Sequence, residues 1–139
     1  MSTTRTATGA VAGAFDRIVE LEPGRRAVAV RNIPHTLPCF DHHFPRFPVL
    51  PGVLLLESMA ALAKAAAGGE RAWRLASVRG VRFKHFVGPG DQVHLTAEVT
   101  GGNRHTTEVR ATARVGDRVV ATARALALAL ADEPWEGTA

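Results

Sequence analysis

Between Cys39 and Gly68 the chain reads CFDHHFPRFPVLPGVLLLESMAALAKAAAG, and three features inside 15 of these residues, His43 to Glu57, could carry acid–base chemistry. His43 is a side chain that gains and loses a proton near neutral pH. Glu57 is a carboxylic acid inside a run of Val, Leu, Met and Ala, a costly place unless it faces outward or its proton is used. Between them, Pro51-Gly52 opens the apolar run, and the first N–H groups of a helix starting there have no partner within the helix. Together with the partial positive charge of a helix N-terminus, they suit a carbonyl oxygen that gains negative charge during a reaction. Pro45, Pro48 and Pro51 recur every three residues, which favours an extended, polyproline-like arm holding His43 in a fixed relation to that helix.

The remaining histidines have plainer readings. Neighbours in an extended segment point opposite ways, so His42 reads as structural or exposed. The same alternation disfavours a zinc site from His35, His42 and His43, which also lacks a Cys or carboxylate at ligand spacing, so no metal is expected. His85, His94 and His105 read as ordinary strand residues.

The elements that would position these groups follow from periodicity. Residues 52–67 form the one helical segment, with Pro51 at its start and Gly68-Gly69 stopping it, roughly 24 Å long at 1.5 Å per residue. Its polar residues are Glu57, Ser58 and Lys64, so it is expected to be buried nearly all round. FDRIVELE (15–22) and RAVAVRN (26–32) flank Glu22-Pro23-Gly24, a type II turn pattern, and make a hairpin. In RHTTEVRATARV the polar residues alternate with Val109, Ala111, Ala113 and Val115, a strand with one wet face. Gly116-Asp117 then turns tightly, as a II′ turn, into RVVATARALALAL. QVHLTAEVT (92–100), entered through Pro89-Gly90-Asp91, completes a three-strand meander, and WRLASVRGVRFKHF (73–86) is a further strand with a bend at Gly80. The expected class is α+β, about six antiparallel strands around one helix. The chain reads as one domain over 1–139, with a core of about 14–131 and termini expected to be disordered.

Composition bounds the function classes. The chain is 46% hydrophobic and 22% charged, as in an ordinary globular protein, and its longest apolar run is far too short to span a membrane. The N-terminus lacks the apolar stretch of a secretory signal, and the lone Cys39 forms no internal disulfide, so a cytoplasmic location is expected. A net charge of +4, with 15 Arg and two Lys, suits an acidic partner. The basic residues are neither concentrated nor interleaved with aromatics, which argues against nucleic acid. Arg79, Arg82 and Lys84 could meet an acidic partner, and a solvated strand face explains them equally.

HFPRFPVLPGVLLLESMA resembles the signature of the FabZ-type 3-hydroxyacyl-acyl-carrier-protein dehydratases, H-F-P-x-x-P-x-x-P-G-V-L-x-x-E-x-x-A, matching at His43, Pro45, Pro48, Pro51, Gly52, Val53, Leu54 and Glu57. FDRIVELEPGRRAVAVRNI is similar to the family's first hairpin and VRFKHFVGPGDQVHLTAEV to its strand and P-G-D-Q turn. The resemblance implies a hotdog fold, a sheet wrapped around one long central helix, in a homodimer or higher even oligomer with active sites between subunits. It implies as substrate a 3-hydroxyacyl chain carried as a thioester on the phosphopantetheine of acyl carrier protein, with no other cofactor. It assigns His43 as the base at C2, Glu57 of the other subunit as the acid that protonates the departing C3 hydroxyl, and the Gly52 N–H, with Val53 beside it, as the site of the thioester oxygen. The chemistry agrees. A proton beside a thioester is acidic only if the enolate-like oxygen is stabilised, hydroxide leaves only when protonated, and a desolvated carboxylic acid keeps such a proton near neutral pH.

Four departures from the pattern bear on specificity. His42 stands where the family has Gly, Ala61 where it has Gln, and His85-Phe86 where it has Arg-Pro, while GAVAGA replaces an L-P-H-R-x-P-F opening. They suggest a specialised relative serving a polyketide or unusual fatty-acid pathway. Two alternatives stay open: a thioesterase on the same fold, which would not need His43, and a non-catalytic subunit of a heteromeric dehydratase or a carrier-protein-binding module.

Overall fold

A computed structural model of the chain describes residues 14–37, 49–68 and 72–131. His43, with Cys39, His42, Pro45 and Pro48, lies outside them, as do both termini.

The period-two segments all become strands: β1 (Arg17–Glu22), β2 (Arg26–Asn32), β3 (Trp73–Phe83), β4 (Gln92–Gly102), β5 (Thr106–Val115) and β6 (Arg118–Leu130). They form one antiparallel sheet in the order β1-β2-β4-β5-β6-β3. Two turns set much of this geometry. Arg25 N–H donates to the Glu22 carbonyl at 2.9 Å across Pro23-Gly24, and Gly24 takes φ 81°, as the third position of a type II turn requires. Gly88-Pro89-Gly90-Asp91 repeats the pattern with Gly90 at φ 90°, and it is tied to the end of β2 by Gly90 N–H to Ile33 O at 2.7 Å and Ile33 N–H to Asp91 O at 2.9 Å. Gly116 has φ 60°, the left-handed value both primed hairpin turns need at that position.

Helix α1 (Gly52–Ala67) crosses the concave face against β2, β4 and β5. Its ends fall where Pro51 and Gly68 put them, although at about four and a half turns it is short beside the expected long central helix. Leu55, Met59, Leu62, Ala63 and Ala66 meet Ala29, Leu95, Ala97, Val109, Ala111, Leu126 and Leu128 of the sheet in one core. Small sheet residues let the helix approach closely.

The helix is not buried nearly all round. Val53, Glu57 and Lys64, spaced so as to share one side, are exposed, Val53 by 67%. Among the described residues one sheet packs on α1, and none of them covers the opposite side. Gly68 closes the helix at φ 78°, pressed so tightly against the β1–β2 turn that a Cβ there would stand 2.5 Å from Gly24 N.

Candidate active site

The first turn of α1 is the centre of the site. Pro51 precedes it with φ −59° and ψ 139°, no side chain caps it, and no acidic residue occupies it. Leu54 and Leu55 N–H already reach back to the Pro51 carbonyl at 3.0 and 3.4 Å, which leaves Gly52 and Val53 as the residues whose N–H groups lie ahead of the hydrogen-bonded ladder. The helix entry is pinned by Leu50 N–H donating to Val87 O at 2.6 Å. An apolar groove of about 510 Å³ opens beside it, walled by Val49, Leu50, Val53, Phe83, Phe86 and Val87. Phe83 and Phe86 are 51% and 81% exposed, unusual for phenylalanine unless something covers them.

Glu57 sits one helical turn after Val53 on the same face. Its side chain is exposed in the single chain, the outward-facing one of the two readings open from the sequence: Leu55, Ser58 and Met59 take the positions facing the sheet, and Glu57 falls on the open stripe. Ala61, where the family has Gln, continues that stripe half-buried.

A buried contact between β2 and α1, which period two alone does not reveal, holds this turn in place. Arg31, at the inward phase of β2 after Ala27 and Ala29, is only 7% exposed. Its Nη1 donates to Ser58 Oγ at 2.7 Å and lies 3.5 Å from Leu54 O. Ser58 is fully buried and donates to the Ala14 carbonyl. No carboxylate among the described residues forms an ion pair with Arg31. The residue after Glu57 is therefore bolted to β2 and to the start of the sheet. A basic residue in the inward phase of RAVAVRN was the signal that could have revealed it.

The three cations expected to meet an acidic partner lie together on β3 and just beyond it. Arg82 and Lys84 are exposed, and Arg79 Nη2 is 3.6 Å from Glu108 Oε1 across the outer sheet face. A fourth joins them: β6 gains a residue opposite Arg110, and Arg124 lies across Gly80, whose φ of 65° and missing side chain leave room for it. His35, His85, His94 and His105 are exposed; of the three expected in strands, His94 lies in β4, His105 just before β5, and His85 beyond β3, where it lines the groove beside the helix start, and no group of three metal-ligating side chains gathers among the described residues.

The family model of the ApeI-like dehydratases matches residues 20–123. A 3-hydroxyacyl-[acyl-carrier-protein] dehydratase FabZ of Symbiobacterium thermophilum is 39% identical over 123 residues, covering 85% of this chain and 86% of that protein. The FabZ of Caldanaerobacter subterraneus is 36% identical with the same coverage. Among solved structures, an uncharacterized protein of Pyrococcus horikoshii superposes with a TM-score of 0.76 at 14% identity over 94% of both chains. The dehydratase heterocomplex ApeI:P of Xenorhabdus doucetiae gives 0.62 at 23% identity over 75% of this chain and 88% of that one. These two show the fold alone. From the matched family model, the identity over most of its length and the sheet-on-helix architecture, the chain belongs to the FabZ/ApeI-like dehydratases of the hotdog fold.

Proposed function

We propose that the protein removes water from a 3-hydroxyacyl thioester held on acyl carrier protein, giving the trans-2-enoyl thioester. The observation that supports this most is the first turn of α1. Uncapped N–H groups, no acidic neighbour and an adjoining apolar groove offer a seat for a thioester oxygen with room beside it for an acyl chain. In this reading the thioester oxygen accepts from the Gly52 N–H, beside Val53, as electron density moves onto it. His43 removes the C2 proton. Glu57 gives its proton to the C3 hydroxyl, which leaves as water, and the C2 electron pair becomes the new double bond. The reaction calls for no metal or redox group.

The active unit in this reading is a dimer. Strand β3 is 11 residues long and forms the sheet edge, a row of backbone groups with no strand beyond it among the described residues. The open stripe of α1 and the exposed phenyl rings are also surface that a second subunit would cover, and covering Glu57 supplies the desolvation its proton-donating role needs. One structure of the same fold is a dehydratase heterocomplex, and a second reading gives this chain a different chain as its partner. Arg79, Arg82, Lys84 and Arg124 suit the acidic surface of the carrier. A specialised pathway, polyketide or fatty-acid, accompanies the departures at His42, Ala61 and Phe86.

Intact-protein mass spectrometry of 3-hydroxyacyl carrier proteins of several chain lengths tests the assignment. Loss of one water with the wild-type chain, absent with His43→Ala and Glu57→Gln, is expected. Release of free carrier protein would mean thioester hydrolysis instead, and no change with any length would overturn the enzymatic reading.

A further inference from the structure

Gly52 poses a question the backbone does not answer. It lies within α1, and it is not among the glycines with positive φ, so conformation alone does not demand glycine there. Space does. A Cβ built on Gly52 would stand 3.0, 3.1 and 3.2 Å from Cζ, Cε1 and Cε2 of Phe83. Three nearly equal distances mean that the glycine lies over the outer end of the ring's face, since an approach along the ring axis would leave both Cε atoms much farther away than Cζ. Phe83 pairs with Ala121, a buried residue on the inner face of β6, so its ring comes from the helix side of the edge strand. The ring's electron-rich face thereby meets the partly positive N-terminus of α1, a favourable arrangement, and it excludes water from one side of the turn.

We infer that Phe83 is a positioning residue whose ring face sets the backbone of Gly52, and hence the direction of the N–H groups offered to the thioester oxygen. This deepens the reading above and rests on it for the reaction. The ring and the glycine are complementary, so the one is required because of the other. Adding a methyl at 52 pushes the helix start off its place while Phe83 is present. Shortening Phe83 to leucine makes room for that methyl, whereas tyrosine keeps the face and makes none.

The contact itself is tested by NMR of the full chain. Protons over a ring face shift upfield, so the Gly52 Hα signals are expected upfield in wild type and in Phe83→Tyr and restored toward random-coil values in Phe83→Leu. Unshifted wild-type signals overturn the proposal whatever the protein catalyses. The positioning role is tested by kcat and KM on one 3-hydroxyacyl carrier protein, with thermal midpoints measured alongside. Gly52→Ala is expected to lower kcat by about tenfold or more, Gly52→Ala/Phe83→Leu to recover about tenfold of that, and Gly52→Ala/Phe83→Tyr to recover none. Losses that multiply in the double variant, or a recovery that merely follows the thermal midpoint, overturn it. A wild-type chain that shows the upfield signals yet removes no water refutes the reaction assignment and leaves the ring contact standing.

Discussion

Replacing Ser58 with alanine removes one oxygen from the interior and leaves two groups without their partner. Arg31 Nη1 loses the acceptor at 2.7 Å and keeps only the Leu54 carbonyl at 3.5 Å, and the Ala14 carbonyl loses its donor. Arginine cannot shed its charge, and at 7% exposure it cannot turn to water without disturbing β2. A hydrogen bond to a charged group contributes about 1.5–3 kcal/mol, and stranding a buried carbonyl adds to that, so Ser58→Ala is expected to cost about 3 kcal/mol. For a chain of this length that is a fall of roughly 10 °C in Tm. Arg31→Met tells the two contributions apart. It removes the cation, and Ser58 still has the Ala14 carbonyl and, at 3.2 Å, the Leu54 carbonyl to donate to, so the cost is expected to stay within about 1 kcal/mol. The double variant is then expected to be about 2 kcal/mol more stable than the sum of the singles indicates. Denaturant unfolding at one fixed protein concentration measures all three, since any subunit association would contribute to apparent stability. A Ser58→Ala loss below about 0.5 kcal/mol, or no relief from Arg31→Met, would refute the claim that a buried cation bolts the turn beside Glu57 to the sheet.

Gly68→Ala forces a side chain into the left-handed region and against Gly24 N, so a loss of about 2 kcal/mol or more is expected in thermal or denaturant unfolding. Reversing Arg79, Arg82 and Lys84 to Glu is expected to raise KM for a carrier-bound substrate with kcat nearly unchanged and to leave a short pantetheine thioester unaffected. Equal effects on both substrates, read from steady-state kinetics, would remove these residues from carrier docking. If each active site draws His43 and Glu57 from different subunits of a two-fold dimer, mixing and refolding His43→Ala with Glu57→Gln is expected to restore about a quarter of wild-type activity by random pairing. No recovery would place both groups in one subunit or show that the subunits do not re-pair.

Local features made much of this architecture readable. The β4–β5–β6 meander and the β1–β2 hairpin follow from period two and from turn residues whose required φ only glycine takes cheaply, and α1 ends at Pro51 and Gly68 for the same kind of reason. What depends on distant partners was not readable. That β3 pairs with β6 and forms the edge follows from tertiary closure, because an 11-residue apolar-polar strand looks the same at an edge as in the middle. The helix is less buried than its composition implies, because apolar composition does not say how many neighbours a helix has within one chain. Val53 and Glu57 lie on the side that the sheet leaves open. Around the helix start, the positions of Gly52 and Glu57 on α1 follow from local pattern, while the ring that fits Gly52 and the arginine behind Ser58 come from 31 residues later and 27 residues earlier and leave no local pattern.

The proposed reaction requires that water be exchanged at C3 of a carrier-bound thioester by a site containing Glu57. Because this dehydration is reversible, the most direct measurement runs it backwards: a trans-2-enoyl carrier protein is incubated with the protein in oxygen-18 water and followed by intact-protein mass spectrometry. A gain of one labelled water with the wild-type chain, lost with Glu57→Gln, is predicted. An unchanged enoyl thioester, a label gained equally with Glu57→Gln, or free carrier protein in its place would contradict it.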